Sequence, residues 1–290
     1  MITEKIDQLI EYVTRNNSSD YIYQAKQEYQ KIAGEIYEDD KSYENRMGLF
    51  LEWFIFDRLA SEENITLIES VTNGNNQWTL EDLTVFKDFS QSIHSLFLTK
   101  KIREDRVVVQ DLFSGEKYEV NEPQSKLMFQ PKDIFEGRIL PYEGGYYFSG
   151  NFCFHPQEVS KYILRIAQQI STEFQIFQKE DGRYEDIINK LKSQIEKLDN
   201  KINKLRSKIE KTSSDEKRLS FLNKKSDLHN EKLEADQELN TLTSKKLFHH
   251  EQKFKIELGT LSSQWMQKLN YMNLKWERSR QIDPQDIYSD

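Results

Sequence analysis

One cysteine, five prolines and ten glycines in 290 residues leave this chain short of three common structural devices. The lone Cys153 excludes an intrachain disulfide and any zinc site built from several thiolates of one chain, which suits a reducing compartment. The cytoplasm is therefore the expected location. So few turn residues argue against a mainly β protein and for long helices. No run of 18 apolar residues is present to cross a bilayer, and Met1-Ile2-Thr3-Glu4-Lys5 lacks the charged-then-apolar pattern of a secretory signal. Phosphate cradles of the G-x-x-x-x-G-K-[ST] and G-x-G-x-x-G types and the G-x-S-x-G elbow are missing as well. There is no low-complexity tract and no 20–50-residue repeat.

What the chain has is charge and helical periodicity. Charged residues make up 31% and hydrophobic ones 37%, with a net charge of −8. Residues 1–170 carry 28 acidic against 18 basic side chains, and residues 171–290 carry 21 against 23. Between Lys190 and Lys225 the count is 12 basic to 5 acidic.

That basic stretch overlaps a heptad seam. Tyr184, Ile188, Leu191, Ile195, Leu198, Ile202, Leu205 and Ile209 alternate spacings of four and three, with polar residues between them. Extending the register forward meets Thr212, Glu216, Leu219, Asn223, Ser226, Asn230, Leu233 and Gln237, of which only two are apolar, so the phase is lost near 211–217. Ser213 with Glu216 has capping-box spacing and predicts a new helix start there. A hairpin with its tip at 211–217 is expected, and one uninterrupted helix in a parallel dimer is the rival. In the hairpin, Ile195 is expected to meet Leu233.

Along the chain, Ile2 to Val13 predicts a helix ending at Asn16. A second runs from an N-cap at Asp20 to about Tyr37, and a third, apolar on nearly every side, from Ser42 to Leu59. The third contains Glu52 and Asp57, a carboxylate pair that Arg58 and nearby backbone are expected to satisfy. A helix starting at Thr79 follows. Short β-like runs then cover 95–101, 106–112, 118–121, 134–140 and 146–154, with Ser114-Gly115 at a hairpin turn. A long helix after Pro156 is expected to kink at Asp181-Gly182, and a return helix runs from about Asp215 to Arg280.

The segments 50–57 (FLEWFIFD), 111–120 (DLFSGEKYEV), 133–141 (DIFEGRILP) and 147–150 (YFSG) together resemble a domain of bacterial proteins that carry a SEC-C zinc motif. The resemblance covers about residues 40–155. It implies a bacterial source and a helix-plus-small-barrel body. The cysteines of the zinc motif itself are absent, so nothing of that motif's role is carried over.

The expected architecture is α+β: a helical body with a small antiparallel β-barrel or sheet over 1–155, a long antiparallel coiled-coil hairpin over 156–280, and a tail over 281–290. His249-His250 lacks the i,i+4 spacing of a zinc helix, and Cys153 in an aromatic strand reads as packing. No catalytic residue, metal ligand or cofactor is assigned. The leading reading is a non-enzymatic cytoplasmic scaffold that presents the coiled coil to a protein partner or a second copy, through the seam at Ile195, Leu198, Ile202, Leu205 and Ile209 and the tip at Lys204, Arg206, Lys208, Lys211, Lys217 and Arg218. The alternative is a nucleic-acid-associated factor using the tip at Lys201, Lys204, Arg206, Lys208, Lys211, Lys217 and Arg218, where Phe221 is the one aromatic available to stack. An enzyme ranks third.

Overall fold

The computed structural model describes residues 2–59, 64–74, 78–122 and 128–289. Met1 and Asp290, the outer limits of the expected domains, lie outside them. The fold is mixed α+β, and the chain divides into two compact units, residues 1–174 with 258–290, and residues 175–257. The boundary therefore falls inside the expected hairpin rather than at 155, because the first turns of the long helix and its last returning segment share a core with the sheet.

In the first unit, α1 (Ile2–Asn16), α2 (Ser19–Ala33), α3 (Tyr43–Glu52), α4 (Leu67–Asn73) and α5 (Leu80–Phe89) pack around Leu9, Phe50, Phe54, Phe86 and Phe89. Ser18, not Asp20, caps α2, and the helix stops four residues before Tyr37 because Gly34 takes a positive φ. α4 adds to the helices expected from periodicity, and Thr66 and Glu69 form the capping box that marks its start. After Glu52 the expected third helix turns π-helical over Trp53–Asp57 and ends at Arg58.

Six strands follow: β1 (Ile93–Ile102), β2 (Arg106–Asp111), β3 (Lys117–Asn121), β4 (Ile134–Tyr142), β5 (Gly145–Phe148) and β6 (Cys153–His155). Their order is β1-β2-β3-β5-β4-β6, with β1 also paired to β4. The sheet is mixed rather than antiparallel, since β3 and β5 pair in parallel at Asn121 and Tyr147. The expected last strand is two strands, split where Ser149-Gly150-Asn151-Phe152 leaves the ladder. Gly115, at φ 82°, makes the β2–β3 turn, where Asp111 accepts hydrogen bonds from the Phe113 N–H and the Ser114 hydroxyl.

Both faces of β1 are buried. Phe97 points into a phenylalanine-rich cluster with Phe129, Phe135, Phe148 and Phe152, whose ring centroids lie 5.2–5.9 Å apart. Leu96, on the opposite face, joins Ile163, Ile166 and Ile170 of α6 (Ser160–Lys211) and Met266 and Leu269 of α8 (Gly259–Arg278). The chain closes with α9 (Pro284–Ile287), after which the Tyr288 hydroxyl lies 3.0 Å from Nδ1 of His155.

The second unit contains the rest of α6, α7 (Asp215–His249) and a π-helical segment, His250–Leu258. The two helices run antiparallel: Asp199 pairs with Lys232 at 2.6 Å and Asp181 with Lys246 at 3.7 Å. No kink interrupts α6 at Asp181-Gly182, since a helical glycine costs only about 1 kcal/mol and Asp181 is engaged by Lys246. The cap of α7 is Ser214, whose side chain makes no capping hydrogen bond, so the expected Ser213–Glu216 box is not formed. The return helix is not one regular helix, because the π segment shifts its phase before α8.

The facing register also differs from the extended one. Leu219 and Leu233 are exposed. The shielded face of α7 is Phe221, Lys225, Leu228, Lys232, Ala235, Leu239 and Leu242, itself a 4,3 repeat. Turn residues 212–214 reset the phase, and lysine stems occupy seam positions where apolar residues were sought. Ile195 is thus not opposite Leu233.

Candidate functional site

A buried cluster of ionisable side chains lies in the first unit, where α3 and its π turn meet β1 and β4. Direct cross-strand pairs His94↔Arg138 and Leu96↔Glu136 put His94, Glu136 and Arg138 on one face of the sheet. Glu52 and Asp57 come from the helix. On an α-helix, residues five apart point about 140° away from each other, and the i→i+5 turn over Trp53–Asp57 brings them closer to one side. Gly48 permits the close packing: a Cβ there would come within 2.1 Å of the Asn151 amide oxygen, and Asn151 donates to Glu52 at 2.6 Å.

Arg138, only 1% exposed, donates to Asp57 at 2.5 Å and to Ser92 at 2.9 Å, lies 3.5 Å from Glu52, and stacks under Phe56 with 4.7 Å from guanidinium carbon to ring centroid. His94 is held between Asp57, 2.8 Å from Nδ1, and Glu136, 2.9 Å from Nε2. Arg138 and His94, reaching across from the sheet, thus neutralise the helix carboxylates. Arg58, the expected partner, instead binds Glu28 at 2.9 Å and the Tyr21 hydroxyl at 2.8 Å.

Burial by itself lowers the His94 pKa, but the charge of Asp57 and hydrogen bonds to both carboxylates outweigh it and raise the value to about 9. Burial pushes Glu52 up, which Arg138 only partly offsets. Burial also acts upward on Asp57, yet Arg138 and His94 carry it below the usual carboxylate range. With both ring nitrogens engaged, His94 has no lone pair to offer a substrate, so the cluster works as a clamp between helix and sheet.

A folded pKa above the unfolded value of about 6.5 gives stability that is complete below pH 6.5 and is lost as pH rises through about 9. The loss attributable to His94 is on the order of 3 kcal/mol. Urea midpoints at pH 7 and pH 10 are expected to fall further for the wild type than for His94→Gln. Equal falls would mean that His94 is neutral in the fold.

Other reactive residues are quenched. Cys153 is buried, and burial holds its thiol well above the ordinary value, so it is not a thiolate at neutral pH. Burial keeps His155 neutral, lowered to about 3. His249 and His250 both pack on Phe177, at 5.5 and 5.6 Å between ring centroids. Among the described residues, no group of three His, Cys, Asp or Glu side chains is arranged to hold a metal ion.

The sequence-predicted site residues all fall in the second unit and separate into two sets. Leu198, Ile202 and Leu205 are buried and Ile195 and Ile209 half-buried, so this seam is largely occupied within the hairpin. Lys201, Lys204, Arg206, Lys208, Lys211, Lys217 and Arg218 are exposed near the tip, with Arg206 3.7 Å from Glu210. The sequence reading did not anticipate the outer face of α7. Leu219, Leu222, Leu233, Leu247 and Phe248 are exposed there and fall within about 100° on a 3.6-residue wheel, roughly opposite the shielded face. The repeat of 14 residues from Leu219 through Leu233 to Leu247 was the available signal. An open groove of about 660 Å³ adjoins Phe248, lined also by Tyr184, Lys245, His249 and Lys253.

No helix among the described residues is long and apolar enough to cross a membrane. No curated protein and no solved structure matches the chain. The model of the Family of unknown function (DUF7986) matches residues 2–194, which span the helical layer, the charge clamp, the sheet and the first part of the hairpin. On that match, which takes in more than half of the chain, the protein belongs to the DUF7986 family.

Proposed function

We propose that this protein is a non-enzymatic scaffold in a bacterial cytoplasm, whose hairpin is an antiparallel coiled coil that recruits an acidic, amphipathic helix of a protein partner. The observation that carries the reading is the apolar stripe on α7. Leu233, Leu247 and Phe248 are 55%, 67% and 66% exposed on the side of the helix that the hairpin does not use. Large apolar residues recurring on one exposed helix face are the anchors of helix-on-helix recognition. The basic excess between Lys190 and Lys225 supplies charge complementarity to an acidic partner and speeds encounter. The buried charge clamp and the six-stranded mixed sheet are then the rigid base of the first unit. The resemblance of residues 40–155 to the body of SEC-C-motif proteins supports the bacterial assignment.

The exposed tip cations favour a second reading, nucleic-acid binding, but Phe221 is half-buried and does not stand free to stack on a base. One experiment separates the readings. The full chain is used to capture partners from nuclease-treated lysate, alongside a Leu233→Ser/Leu247→Ser variant and a Lys208→Glu/Lys211→Glu/Lys217→Glu variant. The recruitment reading expects a captured protein that survives nuclease, is lost with the serine variant, and rebinds the purified wild type with at least tenfold higher affinity than that variant. Binding that disappears with nuclease and with the glutamate variant alone would transfer the function to nucleic acid.

A further inference from the structure

A second feature of the first unit is unrelated to the hairpin. A cavity of about 150 Å³ lies among α2, α3, β6 and α8, lined among others by Tyr29, Asn45, Arg46, Cys153, Asn270 and Glu277. Among its walls are polar groups whose hydrogen-bonding capacity is unused. Asn270 is 4% exposed, and neither its amide nitrogen nor its amide oxygen has a hydrogen-bond partner of ordinary geometry, although it is close enough to favour ionisation of the Tyr29 hydroxyl. Arg46 is buried, gives one terminal nitrogen to the carbonyls of Ala33 and Gly34, and leaves Nε without a partner. Among the described residues no carboxylate stands within salt-bridge distance of Arg46, and Asp40, which pairs with Arg278, favours its charge only from farther off. Burial acts against that charge and outweighs the favourable influence of the Tyr29 and Cys153 side chains, and Arg278 adds repulsion.

A buried cation with no carboxylate in contact and a buried amide whose one neighbouring polar group is the Tyr29 hydroxyl are both costly unless something fills the space between them. Asn45 cannot serve, because its amide is spent on the Phe152 backbone, donating to O at 2.7 Å and accepting from N at 3.1 Å. The volume is that of about five water molecules. We propose that this cavity is a binding site for a small oxyanion, a short monocarboxylate or inorganic phosphate. Arg46 supplies the charge, Asn270 and Tyr29 supply directed hydrogen bonds, and Glu277, which also lines the cavity, disfavours an oxyanion of high charge relative to a singly charged one. The planar guanidinium fork suits an oxyanion's paired oxygens better than a point charge would.

The test is thermal unfolding and calorimetric titration of the full-length protein with acetate, formate and inorganic phosphate, each against chloride at matched ionic strength. A saturable rise in Tm with one oxyanion is expected, and its identity distinguishes carboxylate from phosphate. Arg46→Met should weaken that binding at least tenfold. Asn270→Leu keeps the side chain's shape but removes its hydrogen-bonding groups and should weaken binding at least tenfold, and it keeps the test decisive if the arginine variant fails to fold. No saturable response to any of the three anions would mean that the cavity holds water alone, and an unchanged response in Asn270→Leu would locate the anion elsewhere. Either result overturns the proposal.

Discussion

Arg138→Met is expected to lower the unfolding free energy by about 3–5 kcal/mol, because it removes the one guanidinium from a site where Glu52, Asp57 and Glu136 converge. Methionine preserves much of the side-chain volume, so the loss reports charge rather than a cavity. The three carboxylates would then be left with His94 as their neighbouring cation, at a site where Glu52 and Glu136 are only 4% and 2% exposed. A companion variant, Arg138→Met with Glu52→Gln and Asp57→Asn, should recover most of the loss, since the uncompensated buried charge has gone. Urea unfolding of the wild type and both variants measures this. A loss below about 1 kcal/mol for Arg138→Met would mean that water enters and screens the carboxylates.

Phe54→Ala should be comparably damaging for a different reason. Phe54 is fully buried and sits against Phe50 and Tyr21, with ring centroids at 5.9 and 5.7 Å. Truncating a buried phenylalanine typically costs about 3–5 kcal/mol, the lost transfer free energy plus the cavity left behind. That is a large part of the 5–15 kcal/mol that holds an ordinary domain together. Trp53→Ala, next to it and packed on Tyr29 at 5.4 Å, belongs to the same core. Poor soluble yield and a urea midpoint far below wild type are expected for Phe54→Ala. A midpoint close to wild type would mean that the neighbouring rings collapse into the space.

The physical origin of these two effects explains why only one was legible beforehand. The apolar run around Phe54 is a local property of ten consecutive residues, and it pointed directly to a buried helix. The clamp is not local. Arg138 is 81 residues from Asp57, and His94 is 42 from Glu136. Each of those side chains read as ordinary in its own neighbourhood, so the carboxylates were assigned to the nearest cation, Arg58. The small-anion cavity was illegible for the same reason, since Arg46 and Asn270 come from opposite ends of the chain.

The hairpin divides in the same way. Ile188, Leu191, Leu198, Ile202 and Leu205 repeat on one face, and local periodicity was enough to predict both a long helix and its buried side. The matching face of α7 contains Lys225, Lys232, Ala235 and Lys246, whose burial depends on what stands opposite. Its register escaped the pattern, and with it the exposure of Leu233 and Leu247.

By itself the sequence determined the helices with strong periodicity, the first four strands, the Gly115 turn and the break after Lys211, because periodicity and φ preference act within a few residues of chain. Only the tertiary structure decided the π turn that draws Glu52 and Asp57 together, the β1–β4 pairing that sets His94 beside Arg138, and the side of α7 left uncovered. Each of these follows from contacts between segments tens to hundreds of residues apart, where burial decides which charges must pair and which apolar residues stay in water.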